Sequence, residues 1–468
     1  MRLSPASLDK LIPEVARYAY DRDAQSVGIV HFGIGAFHRA HQAWYTDAAL
    51  NAGDRNWLIT GISLRSRAVA CQLNPQSGLY SVTERSGNGE RTRIVGSVRN
   101  VMPAGSMKVP VARLLAADST RIASFTITEK GYCRSADGSL DFALADSGSI
   151  YRLLAHGLRQ RCDAGLGGLT LLSCDNLSEN GRQLEQLMGQ YLRRHDPDLV
   201  PWFENECACP TSMVDRIVPA TTNQDRIRLT STIGILDEAA VMTEPFSQWV
   251  IEDRFAAGRP TWDAVGAQIV ADVAPYETAK LRMLNGAHSA LAYLGLEHGH
   301  DYVHQAVGDR EIRPLVERLM REEAASTISA APGQDLDTYA SSLLERFANP
   351  ALNHRLIQIA MDGSQKIPQR WLETLAVRGA AGADSPAILT ALCAWLRHVR
   401  GDVRKVDDPL AGELAGAWST HGEVGIIDAV FGESGLVGGP WWPTQDDRVF
   451  VAKVLPAFGQ VQDQLRPA

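Results

Sequence analysis

The stretch "VGIVHFGIGAFHRAHQAWY", Val27 to Tyr45, restricts the fold more than any other part of the chain. A short apolar run ends in Gly33-Ile34-Gly35, and aromatic and apolar residues then recur at helical spacing up to the glycine of "DAALNAG". A strand that passes through a glycine turn into a helix opens a βαβ unit, and such a unit requires a parallel sheet. A first glycine permits the tight turn, and a second lets the backbone approach a pyrophosphate on the following helix. The third small residue of that fingerprint is absent, because His38 stands in its place. His38 and His41 lie three apart, as two metal ligands could, yet no acidic partner or third histidine is close in sequence. Arg39 suits either a phosphate or carboxylate contact or a solvated helix face.

Further strand-like runs follow in "WLITGISL", "RIASFTIT" and "LTLLSCDN", and "SIYRLLAHGLRQRCDAG" between the last two has helical spacing and a glycine stop. Past about residue 265 the texture turns helical. The expected fold class is therefore α/β: a Rossmann-type parallel-sheet domain over 1–265, then a mostly α-helical domain over 266–468. The 468 residues suffice for two or three domains. A net charge of -8 argues against nucleic acid or an anionic membrane as the main partner. No apolar run approaches a spanning length and the start reads as mature sequence, so a cytoplasmic protein is expected. Seven scattered cysteines make a disulfide framework or a zinc site at Cys207 and Cys209 a poor expectation.

Nicotinamide enzymes commonly place an acidic residue after the second strand to hold the ribose 2′-hydroxyl. Here "WLITGISL" runs into "RSRAVACQL", with Arg65 and Arg67 and no carboxylate, so NAD and NADP both stay open. In "YETAKLRMLNGAHSALAYLG", a regular helix advancing about 100° per residue would set Lys280, Asn285 and His288 within one half of its surface, beside an apolar stripe. A lysine near other cations can lose its proton and act as general base, and an asparagine amide can donate to a developing alkoxide. The same trio also suits an ordinary polar helix face.

"GIGAFHRAHQAWY", "TITEKGYC", "SCDNLSENG", "MVDRIVP", "EPFSQWVIEDRFAAGRP", "KLRMLNGAHSALAYLG" and "DGSQKIPQR" occur together and in this order. The chain thereby resembles the mannitol dehydrogenase family of long-chain polyol dehydrogenases over residues of about 27 to 372. That resemblance implies a zinc-independent oxidoreductase that moves a hydride between NAD or NADP, with NAD the first expectation, and a secondary alcohol of an open-chain sugar derivative. It implies Lys280 as catalytic base, Asn285 and Asn176 as oxyanion-stabilising amides, His288 and Lys366 as substrate contacts, and Asp215 as an aspartate near the site. Gly33, Gly35 and Phe37 match the family's glycine turn, with Arg65 added as a cofactor contact. No metal is expected. Monomers are common in the family, and no coiled-coil heptads argue for more.

The phrase "QIAMDGSQKIPQR" looks more like fructuronate reductases than mannitol 2-dehydrogenases, where an arginine would replace Gln358 and an aromatic would replace Arg370. Arg370 could hold a substrate carboxylate, which a polyol lacks. The expected pair is thus D-mannonate/D-fructuronate, with D-mannitol/D-fructose or another polyol as the alternative. Outside this class stands a nucleotide-binding regulator without turnover.

Overall fold

A computed structural model describes residues 1–87, 89–103, 108–135, 137–352 and 354–458. The chain divides into two compact units, Met1–Val273 and Ala274–Ala468. In the first, the strands are β1 (Val27–Phe32), β2 (Leu58–Ile62), β3 (Tyr80–Ser86), β4 (Gly89–Val95), β5 (Val98–Met102), β6 (Ile122–Phe125) and β7 (Thr170–Ser173). They continue with β8 (Ser212–Asp215), β9 (Val241–Thr243), β10 (Gln248–Glu252) and β11 (Gln268–Val270).

The main sheet is parallel throughout, in the order β5-β2-β1-β6-β7. This is the Rossmann arrangement, in which strand order reverses beside the first strand and ligands bind at the carboxyl ends. β2, β6 and β7 are buried along their full length, which explains their near-continuous apolar runs: helices cover both faces of such a sheet. The helix Ile150–Asp163 is bounded as its sequence suggests. Ser149 accepts a hydrogen bond from the Tyr151 amide, and Gly165 adopts φ +67 just past the end. Two small sheets complete the unit, β4-β3-β9 around an antiparallel hairpin and β11-β10-β8.

One regular helix after the glycine turn is not what forms. Helix α1 (Ala36–Ala40) stops at His41, whose φ of -120 and ψ of -96 break the backbone before α2 (Gln42–Ala52). Both His38 and His41 are fully buried.

The second unit has helices as its only regular elements among the described residues. Its core surrounds the buried segment Gly286–Glu297, packed among Trp371, Trp395 and Phe431. The helical path from Ala274 to Glu297 is interrupted: Ala274–Ala279 and Gly286–Glu297 are α-helical, whereas Lys280–Asn285 forms a π turn. Two further π turns span Leu319–Ala324 and Pro368–Leu372. Single π turns within helices recur at functional sites. The uniform rotation assumed for Lys280, Asn285 and His288 is therefore replaced by a locally widened turn that re-aims the first two relative to the third. No described helix is long and apolar enough to cross a membrane.

Candidate functional site

In the first unit, Gly33 follows β1 with φ +94, and a Cβ there would lie 2.1 Å from the Thr126 carbonyl oxygen. Only glycine fits that point, for conformational and steric reasons together. A Cβ on Gly35 would meet nothing closer than the Gly33 oxygen at 3.8 Å, so the backbone faces open space where α1 begins. The first amides of a helix have no acceptor within it. A glycine-lined opening beside such amides fits a pyrophosphate. Phe37 stacks on His41, with ring centroids 5.0 Å apart.

The "HRAHQ" segment holds this turn from behind. Arg39 points inward: its Nη1 donates to the Ala239 carbonyl and its Nε to that of Gly35 at 3.2 Å, so it is neither a solvated residue nor a phosphate contact. Tyr80 Oη donates to the Arg39 carbonyl at 2.7 Å, and Arg216 Nη1 to that of Ala40 at 2.5 Å, which satisfies the end of α1. The His38 ring stacks on His31 at 3.4 Å. His31 Nδ1 lies 2.8 Å from Ser124 Oγ and its Nε2 2.9 Å from Thr126 Oγ1, and Thr126 donates to the Gly33 carbonyl at 2.7 Å. Burial holds the His31 pKa at about 3 and that of His38 well below its usual range, so both rings are neutral. His41 Nε2 meets the Gln248 carbonyl at 2.9 Å. These enclosed rings build the wall of the turn.

Asn176 follows β7 and Asp215 closes β8. Asp175, which sequence reasoning passed over, ties their surroundings together. Its carboxylate accepts from the amides of Ile127 at 3.0 Å and Thr128 at 2.8 Å and from Tyr132 Oη at 2.8 Å. Thr128 has φ +65, an uncommon conformation for a β-branched residue, and these bonds help to fix it. Asn180 Nδ2 donates to the carbonyls of Asp175 at 3.0 Å and Ser212 at 2.7 Å, linking the Asn176 loop to β8. Arg65 is exposed on the segment after β2.

The second unit brings Asn285, His288, Lys366 and Arg370 together, with Lys280 opening the π turn that ends at Asn285. Two π turns meet here. Trp371 Nε1 donates to the Gly286 carbonyl at 3.1 Å, and a Cβ on Gly286 would come 3.3 Å from the Arg370 carbonyl oxygen. Arg370 Nη1 donates to Ser289 Oγ at 2.8 Å and reaches the Asn285 carbonyl at 3.4 Å. No carboxylate pairs with the Arg370 guanidinium among the described residues, and burial lowers its pKa to about 10. His288 is held well below its usual range by burial first and then by His354, Arg346 and Arg370, and its Nε2 is buried without a hydrogen-bond partner among the described residues. The His288 ring packs 4.7 Å from Phe347 and edge-on to His354 at 5.2 Å. Lys366 Nζ donates to the Met361 carbonyl at 2.5 Å and lies 3.9 Å from Asp362; burial and then Arg370 lower its pKa. Arg346, His354 and Ser289 were not foreseen, because their link to the site is spatial and leaves no periodic signal.

Arg282 pairs with Glu373 at 3.1 Å, and His298 and His300 both face Asp309. A surface hollow lined by Arg152, His156, Arg159 and His195 contains none of the expected residues, and Arg159 and His195 in it pair with Asp196 and Asp146.

Residues 27–264 match the family model of the mannitol dehydrogenase Rossmann domain, and 272–423 that of the mannitol dehydrogenase C-terminal domain. The chain is 38% identical to the D-mannonate oxidoreductase of Escherichia coli (strain K12), with 97% of each chain covered. It is 33% identical to the mannitol 2-dehydrogenase of Phaeosphaeria nodorum, over 99% of this chain and 84% of that one. Among solved structures, the Pseudomonas fluorescens mannitol 2-dehydrogenase in ternary complex with NAD and D-mannitol superposes with a TM-score of 0.82 at 33% identity, covering 99% of this chain and 97% of the other. A substrate-free D-sorbitol dehydrogenase gives 0.90 at 30% identity, with 98% of each covered.

Proposed function

This chain belongs to the mannitol dehydrogenase family and is an oxidoreductase of CH–OH groups, and we propose that its substrate pair is the sugar acid D-mannonate and its ketone D-fructuronate. The observation that carries this reading is Arg370: a half-buried guanidinium with a free edge and no carboxylate partner among the described residues, beside Lys366 and the neutral His288. A buried cation without a counter-ion is costly, and an anionic ligand removes that cost. A carboxylate matches the guanidinium fork through paired hydrogen bonds, whereas a polyol offers only neutral hydroxyls.

In this reading Lys280 takes the hydroxyl proton during oxidation and returns it during reduction. Asn285 donates its amide to the substrate oxygen, in a bond that strengthens as negative charge develops there. Asn176 is the second amide assigned that role. His288, neutral by virtue of its burial, serves as a hydrogen-bonding contact to a substrate hydroxyl rather than as a charge. Lys366 adds positive potential at the carboxylate end, and Asp215 is assigned to the periphery of the site. Gly33 and Gly35 cradle the dinucleotide pyrophosphate, with Phe37 on the adjoining helix. When bound, the nicotinamide supplies or accepts the hydride. Initial rates of oxidation of D-mannonate and D-mannitol, each with NAD and NADP, test the assignment. A kcat/KM for mannonate well above that for mannitol is expected; the reverse order would assign the chain to the polyols.

A further inference from the structure

The segment after β2 is the part of a Rossmann unit that meets the adenosine ribose, and a carboxylate there is the usual receptor for its 2′-hydroxyl. In this chain no Asp or Glu occurs from Arg55 through Thr83. In its place stand Arg65, Ser66 and Arg67, all exposed. The segment is tied to the glycine turn, since the Gly33 amide donates to the carbonyl of Ile62, the last residue of β2, at 2.9 Å. Its own path is fixed by one bond to the end of β5 and two within the segment. The Ser63 amide donates to the Met102 carbonyl at 2.9 Å, Ser63 Oγ donates to the Ser66 carbonyl, and the Ala68 amide donates to Ser66 Oγ at 3.0 Å.

The two arginines differ from most others in this unit. Arg22, Arg39, Arg93, Arg161 and Arg216 each donate to backbone or carboxylate oxygens. The guanidinium groups of Arg65 and Arg67 make no hydrogen bond or ion pair among the described residues, and only the Arg67 carbonyl is engaged, by the Cys71 amide at 2.9 Å. Two unneutralised guanidinium groups, with no carboxylate nearby in the sequence, on a loop anchored to the glycine turn, suit a phosphate dianion better than a ribose hydroxyl.

We propose that Arg65 and Arg67 bind the 2′-phosphate of NADP(H), so that this chain prefers the phosphorylated dinucleotide. The proposal rests on the assignment of the glycine turn as the dinucleotide site and departs from the first expectation of NAD. Binding of NADPH and of NADH to the full chain, without substrate, is measured by tryptophan quenching or calorimetry at low salt. NADPH is expected to bind at least about tenfold more tightly, as hydrogen bonds to a charged group imply. Raising the salt concentration should narrow that gap, because the contacts are exposed. Arg65→Ala and Arg67→Ala should each lose much of the preference, and the double variant R65E/R67E should invert it. Far-ultraviolet circular dichroism and a thermal midpoint within a few degrees of the unaltered chain report that all three variants remain folded. Equal Kd values, or tighter NADH binding by the unaltered chain, overturn the proposal while leaving the dinucleotide site standing. Absence of binding by both would overturn the site assignment together with the proposal.

Discussion

Replacing Arg370 by methionine removes the guanidinium while keeping most of the stem that packs along the π turn. In the unaltered chain, burial lowers the Arg370 pKa from 12.5 to about 10. At 1.36 kcal/mol per unit this represents on the order of 3 kcal/mol of unfavourable desolvation, which a bound carboxylate would relieve. A hydrogen bond to a charged partner contributes roughly 1.5–3 kcal/mol, so kcat/KM for mannonate should fall about 10- to 150-fold in R370M. Mannitol oxidation should change little, because no carboxylate is involved. Folding stability should stay within about 1 kcal/mol, since the lost bond to Ser289 is offset by removal of an unpaired cation. The assay compares kcat/KM for both substrates in both proteins, together with the rise in Tm that saturating mannonate gives each. Ligand binding raises Tm according to its affinity, so the mannonate shift should shrink in R370M. Equal losses for mannonate and mannitol, or an undiminished preference for mannonate, would refute the carboxylate role.

Lys280→Ala should abolish most turnover in both directions while nucleotide binding by fluorescence stays within about twofold, as expected for the loss of a proton-transfer group alone. Gly33→Ala should destabilise the first unit by several kcal/mol, about 3 or more, because the positive φ and the 2.1 Å approach to Thr126 act together; denaturant unfolding measures it, and a Cm near that of the unaltered chain would refute it. Glu297 is buried and its pKa is pushed up to about 7, so its ionisation opposes folding. That cost is absent below the unfolded value of 4.5 and complete above about 7. Glu297→Gln should therefore gain stability relative to the unaltered chain as pH rises from 5 to 8, and a Tm difference independent of pH would contradict this.

The first turn of the sheet was legible because its requirements are local: an apolar run, glycines, then helical spacing. The strands of the main sheet were legible as well, since burial on both faces leaves uncharged, mostly apolar runs such as "LITGI" and "TLLS". The hairpin of β3 and β4 and the sheet around β10 were not. Their strands include partly exposed polar residues and lack a distinctive period. The break at His41 was concealed for a different reason: helical spacing persists across it, and its causes are buried contacts with Gln248 and Trp249, distant in sequence. At the candidate site, residue types matched to a family pattern pointed to Lys280, Asn285 and Arg370. The absence of a counter-ion for Arg370 is a three-dimensional fact with no counterpart in the linear chain.

The π turn at Lys280–Asn285 accommodates one residue more than an α-helix would over the same span. Deleting a single residue between Arg282 and Leu284 would let the segment relax into an uninterrupted helix while swinging Lys280 by about 100° relative to His288. The extra residue thus acts as a rotational spacer. The lysine's direction is encoded in the length of the chain as well as in its side chains, so a shortened variant that keeps every residue proposed for catalysis should fold more stably and turn over less.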